Sequence, residues 1–298
     1  MNSFTFIYII GIFFILNIFQ GFQNIELENQ LIYSSLFILL IGIPHGAIDH
    51  ILLFKKREIS QLTFYAIYLG LIICFVILWH ITPVFSLLFF LLISAFHFGE
   101  SQFSDISFNN ILRYAFYFFW GLCLLSSLMF YNVKELYEIT SYFDDTIILE
   151  KVYNKETISI FFFTTNLITI GSIITLLLKK KINTDRFFSE LFLLFLIHIT
   201  FFLFPFIIGF TLYFVALHSL KVMNDEFKFF KKENKDFTIW KFLKLLAPYS
   251  ILSIIGTTIL ILLSYFNIIS YSIPFLSIII ISVITLPHAI VMNIFYNE

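Results

Sequence analysis

The chain alternates between long apolar runs and short clusters of charge, with little between them. Runs this long and unbroken predict helices, since the strands of a membrane barrel read as short segments of alternating character. A helix that crosses a bilayer needs about 17–25 apolar residues. The windows between charge clusters predict ten such helices, at 4–19, 31–54, 62–81, 84–98, 111–130, 157–178, 187–203, 206–222, 245–266 and 273–295. Only Pro205 divides the seventh from the eighth. One helix from Phe187 to Val222 would run about 54 Å, too long for a single crossing. The first and fourth windows are short, so the expectation is an all-α, polytopic integral membrane bundle of eight to ten helices. No soluble segment or low-complexity linker interrupts the runs, and residues 1–298 read as a single transmembrane domain.

Composition agrees with the pattern. Hydrophobic residues make up 60% of the 298 positions and charged residues 12%, with 43 Phe and a net charge of -1. A soluble domain carries about 25% charged residues. So few charges cannot cover so much apolar surface in water, which excludes a soluble globule, a disordered chain and a basic nucleic-acid-binding domain. Cys74 and Cys123 both fall inside apolar runs and read as small core residues, not a redox pair. The first run lacks a basic flank and a small-residue cleavage site, so it reads as a retained span.

Charge sets the orientation. With ten alternating spans, all of the 18 lysines and arginines except Lys134, Lys151 and Lys155 fall on one side. The positive-inside rule makes that side cytoplasmic, places both termini there and puts the acidic loop 131–156 outside.

Histidine carries the candidate chemistry. Ionisable groups within a membrane are costly and mark function. His45, His97, His218 and His288 lie on the second, fourth, eighth and tenth spans, all running from outside to inside, and all in the cytoplasmic half. Any one of them alone reads as a hydrogen-bonded structural residue. Four at one depth on helices of one orientation predict convergence on a metal ion, for which neutral imidazoles suit Fe, Zn, Cu or Ni. Asp49 follows His45 by four residues, so both project from one helix face and Asp49 is placed to accept the imidazole's second N–H. Glu100 stands in the same relation one turn after His97. Asp225 lies two turns beyond His218, with roles as a site carboxylate and as interfacial charge both open, while Glu226 reads as interfacial. Pro44 frees a carbonyl near Leu40 and shapes the site; the Pro-His step recurs at Pro287-His288. His50 points away from His45. His80, beside Trp79, reads as an interface anchor, and His198 as a hydrogen-bonding residue between helices, with a substrate-cavity role as the alternative. No His-Glu-x-x-His, Gly-x-Ser-x-Gly, phosphate loop or closely spaced histidine box is present.

These residues resemble a known family, the Brp/Blh bacterial β-carotene 15,15′-dioxygenases. The match runs through Gly42-Ile43-Pro44-His45-Gly46-Ala47-Ile48-Asp49, His97-Phe98-Gly99, His218-Ser219 and Pro287-His288, and it covers most of the chain from Leu31 onward. The resemblance implies an inner-membrane, iron(II)-dependent enzyme that splits the central double bond of β-carotene with O2 into two retinals, which supply a microbial rhodopsin. It places His45, His97 and His218 among the catalytic iron ligands. Where the family carries a further histidine, one turn after the His-Ser step, this chain has Val222. His288 is therefore assigned as the fourth ligand, with Asp49, Glu100 and Asp225 tuning the site. Phe96, Phe98, Tyr213 and Phe214 are candidates for lining a substrate path. Two other readings remain: a transporter of metal ions or protons, which would need polar residues continuing to the outer half, and an oxidase of another isoprenoid lipid.

Overall fold

The computed structural model describes residues 3–18, 25–106 and 110–297. The expected end of the first helix at Phe19 lies outside them. The regular elements among the described residues are all helical: α1 Ser3–Ile18, α2 Leu27–Phe37, α3 Asp49–Lys56, α4 Gln61–Ile81, α5 Pro83–Phe103, α6 Asn110–Tyr131, α7 Val133–Ser141, α8 Lys155–Leu178, α9 Thr184–Leu203, α10 Phe206–Tyr213, α11 Leu220–Glu233, α12 Ile239–Tyr265 and α13 Ile273–Asn297, with a few 3₁₀ and π segments between. In hydrocarbon an unpaired backbone N–H or C=O is costly, so an apolar run closes its hydrogen bonds within itself. Where the chain returns to polar surroundings, side chains take over. Ser60, Asn154 and Asn183 accept the first free N–H groups of α4, α8 and α9.

Nine rods among the described residues are long and apolar enough to cross a bilayer. Two are composite. Leu27–Lys56 joins α2, a π segment at Ile38–Gly42, a 3₁₀ turn at Ile43–Gly46 and α3, and Phe206–Glu233 joins α10, a π segment at Phe214–Ser219 and α11. The chain is a polytopic helical membrane protein, and α1 adds a shorter apolar helix. Pro205 separates α9 from α10 through an extended pair at Phe204 and Pro205, as the length argument requires. Several helices outrun their apolar windows, because the helical ladder continues once side chains turn polar. The fourth window ends at 98 and its helix at Phe103; the eighth ends at 222 and its rod at Glu233.

The contact of α5 with α6 is a backbone-to-backbone approach. A Cβ placed on Gly99 would stand 1.9 Å from the Tyr117 carbonyl oxygen, and one on Gly121 would stand 1.7 Å from that of Ala95. Only glycine fits at either position. The contact anchors α5 on the side away from His97, which lies two residues, or about 200°, around the helix from Gly99.

Other polar residues settle between helices. His198 bonds the Asn166 side-chain oxygen through Nε2 at 2.9 Å and the Tyr131 hydroxyl through Nδ1 at 3.2 Å, tying α9 to α8 and α6 as expected. Trp79 is 1% exposed and donates to Ser282 Oγ at 2.7 Å. The indole N–H finds its partner on α13, which makes the residue a core contact. His80 bonds the Tyr271 hydroxyl at 2.8 Å. Both cysteines are free; Cys123 is buried, but Cys74 is exposed on the outer surface of the bundle, where apolar surroundings suit a thiol as well as a core does.

Candidate metal centre

The second rod does not stay α-helical through its motif. A π turn closes at Gly42, Pro44 opens a 3₁₀ turn, and Ile48 leaves helical geometry before α3 begins at Asp49. Proline has no N–H to give and crowds the preceding turn, which accounts for the break. The second composite rod carries its own π segment over His218. Such segments re-aim side chains and recur at functional sites. The two meet closely: a Cβ on Gly42 would lie 2.9 Å from the Phe214 ring. Pro287, by contrast, rides inside the continuous helix α13.

Four imidazoles converge. Ring centres lie 4.7 Å apart for His45 and His288, 4.8 Å for His97 and His218, 5.0 Å for His97 and His288, and 5.2 Å for His45 and His218. One ring nitrogen from each of His45, His97 and His288 lies within 4.8 Å of the other two, an arrangement able to hold a metal ion. None of the four residues is more than 9% exposed.

Their hydrogen bonds fix which nitrogen faces inward. His45 donates from Nδ1 to the Gly42 carbonyl. His288 Nδ1 lies 2.9 Å from Asp49 Oδ1. His218 Nδ1 lies 3.0 Å from Ser101 Oγ, whose own hydroxyl donates to the Phe98 carbonyl at 3.0 Å, so the imidazole is the donor. In each case an outward Nδ1–H leaves the Nε2 lone pair for the cluster. The Nε2 atoms of His218 and His288 and both ring nitrogens of His97 are buried without a hydrogen-bond partner. Such orphaned polar atoms are costly in an apolar interior. A cation taking one lone pair from each of His45, His97 and His288 would satisfy part of this set, so these three residues fit a metal; His218 packs beside them but is not in that mutually close group.

Asp49 therefore serves a different histidine from the one predicted. The i,i+4 relation to His45 requires a continuous helix, and the break after Pro44 removes it. Asp49 instead holds His288 from across the bundle and accepts a second bond from the Tyr68 hydroxyl at 2.9 Å. Gly46 makes room for this pair, since a Cβ there would stand 3.2 Å from His288 Nδ1. Glu100 does not bond His97; its Oε1 accepts from Asn293 at 2.6 Å and Asn297 at 2.9 Å, pinning α13 against α5. Asp225 pairs with Lys221 at 3.1 Å, and Lys221 also donates to the Ser101 carbonyl. Its connection to His218 thus runs through Lys221 and Ser101. Glu226 is fully buried with both carboxylate oxygens unpartnered, so the interfacial reading fails there. His50 packs on the Tyr249 ring at 4.3 Å, away from the cluster.

Of the aromatic candidates, Phe214 stacks on His218 at 5.5 Å and meets His45 edge-on at 5.4 Å, and Phe98 lies 4.9 Å from His218. Tyr213 sits behind Phe98 at 5.5 Å, and Phe96 packs against Tyr114 and Tyr117 on α6. Ser101, Tyr68 and the Gly42 carbonyl were not among the expected site groups. Ser101 alone left a trace, four residues after His97 on the same helix. Nothing local marks Tyr68, which reaches Asp49 from α4.

A family model described as Beta-carotene 15,15'-dioxygenase matches residues 36–296. A protein of that same name from an uncultured marine bacterium, 66A03, is 42% identical over 72 residues. That match takes in 22% of this chain and 26% of the relative's length. No solved structure matches.

Proposed function

The chain belongs to the Beta-carotene 15,15'-dioxygenase family, and from that premise we propose that it cleaves the central C15–C15′ double bond of β-carotene with O2, each carbon taking one oxygen atom to give two retinals. The observation that carries the metal-dependent form of this reading is the buried knot of four imidazoles, three of which hold ring nitrogens without a hydrogen-bond partner. We propose that His45, His97, His218 and His288 hold iron(II), which when bound would supply the activation of O2. Neutral imidazoles suit iron as they do zinc or copper, and the dioxygenase reading selects iron among them.

The remaining work belongs to the chain. Gly42, Ser101 and Asp49 hold three imidazoles in one tautomer and one orientation, which preorganises the donor set. Phe98 and Phe214 pack on His218 and surround it with apolar aromatic surface, suited to a hydrocarbon and hostile to water. No acid or base is required at the cleaved bond; the Asp49 carboxylate is occupied by His288 and Tyr68. A substrate dissolved in the bilayer is delivered laterally, which is a reason for such an enzyme to be a membrane bundle. On this reading residues 1–298 form one catalytic domain in a bacterial inner membrane with both termini cytoplasmic, and the retinal passes to a microbial rhodopsin. Expression in cells that accumulate β-carotene tests the proposal: the pigment is lost and retinal appears with the unaltered chain, and neither happens with His97→Ala.

A further inference from the structure

A second polar feature lies away from the imidazoles, at the basic ends of the helices. A cavity of about 430 Å³ opens there between α1, α3, α9, α11, α13 and the end of α5. Four cations line it, Lys56, Arg186, Lys221 and Lys228, against two carboxylates, Asp105 and Asp225. The carboxylates are already engaged: Asp105 lies 3.5 Å from Arg186 and Asp225 3.1 Å from Lys221. Arg186 is further held by Glu190 at 2.7 Å. Lys56 and Lys228 have no carboxylate partner among the described residues. Lys56 instead lies over the rings of Phe229 and Phe295, at 5.5 and 5.6 Å. These two rings, with Phe4, give the same cavity an apolar wall.

The cavity thus combines two ammonium groups without a carboxylate partner among the described residues, hydroxyl and amide groups from Ser104 and Asn224, and an aromatic wall on the membrane helices. A divalent cation would be repelled by that lining, and a purely apolar ligand would strand the lysines. We propose that this cavity binds the phosphate group of an anionic phospholipid from the leaflet at the basic face, with Lys56 and Lys228 as its counter-charges and the three phenylalanines against the glycerol and upper acyl chain. Basic pockets between membrane helices recognise such headgroups, each cation near the lipid contributing substantially. The proposal does not depend on the reaction at the histidines.

Binding to the delipidated full-length protein in detergent decides it, read by native mass spectrometry and by melting temperature. The probes are short-chain phosphatidylglycerol, phosphatidylcholine of the same chain length, and inorganic phosphate. The expected result is selective retention of phosphatidylglycerol, weakened roughly thirtyfold in the double variant Lys56→Gln, Lys228→Gln, and unchanged in the control Lys179→Gln, Lys180→Gln. Inorganic phosphate binding as tightly as the lipid, and lost in the same double variant, would keep the phosphate site but overturn its lipid source. Equal binding of phosphatidylcholine, or an equal loss in the control, would overturn the proposal.

Discussion

Asp49 Oδ1 accepts a hydrogen bond from His288 Nδ1 at 2.9 Å, joining residues 239 positions apart in the chain. The pair closes the site between its first and last motif. It gives the motif carboxylate a physical role, because a carboxylate behind an imidazole fixes its tautomer and strengthens it as a ligand. Asp49→Ala is expected to lower iron affinity by about 10–100-fold. Tyr68→Phe, which leaves the carboxylate in place, should cost clearly less. Iron content after dialysis against graded chelator measures both, and an Asp49→Ala protein that holds iron normally would remove this role.

The four imidazoles should not be interchangeable with the other three histidines. Replacing His45, His97, His218 or His288 by Ala is expected to abolish tight iron binding, while His50→Ala and His80→Ala keep it. Metal analysis of the purified variants checks this. Retention of full iron by His288→Ala would mean that it is not a ligand.

Metal removal should also be visible in stability. Without an ion, inward-facing imidazole nitrogens are buried without partners, so the ion stabilises the fold by its binding free energy. Chelation is expected to lower the melting temperature, and iron(II) added without oxygen to restore it. In His97→Ala the melting temperature should not respond to either.

The glycine contacts of α5 with α6 make a prediction independent of chemistry. Gly99→Ala or Gly121→Ala puts a methyl group within 2 Å of a backbone oxygen, and backbone cannot swing aside as a side chain can. Each is expected to destabilise the protein by more than about 2 kcal/mol. Gly171→Ala, with nothing within 4 Å of the new methyl, should be neutral or slightly stabilising. Melting in detergent distinguishes them.

The contrast between Asp49 and His97 shows what sequence could and could not reveal. Hydropathy and charge placed His97 and its three partners at one depth, because span length and lysine position are properties of single segments. Which groups hold each imidazole is settled by pairs of segments. The i,i+4 rule gave Asp49 to His45, and it failed because a 3₁₀ turn at Ile43–Gly46 and a non-helical Ile48 interrupt the regular helix there. Glu100, three residues after His97, looked like its partner by the same one-turn reasoning, yet two asparagines on α13 claim it. Glu226 was read as interfacial charge from its place near a span end, yet it is fully buried, which no single-segment pattern records.

Central cleavage of a symmetric carotene has a fixed stoichiometry. Purified, iron-loaded protein is given β-carotene in detergent with O2, and the products are separated by chromatography. Two retinals are expected for each β-carotene consumed, with no activity in His97→Ala. Unconsumed β-carotene in a well-folded, iron-loaded preparation, or a pair of aldehydes of unequal length, would contradict central cleavage.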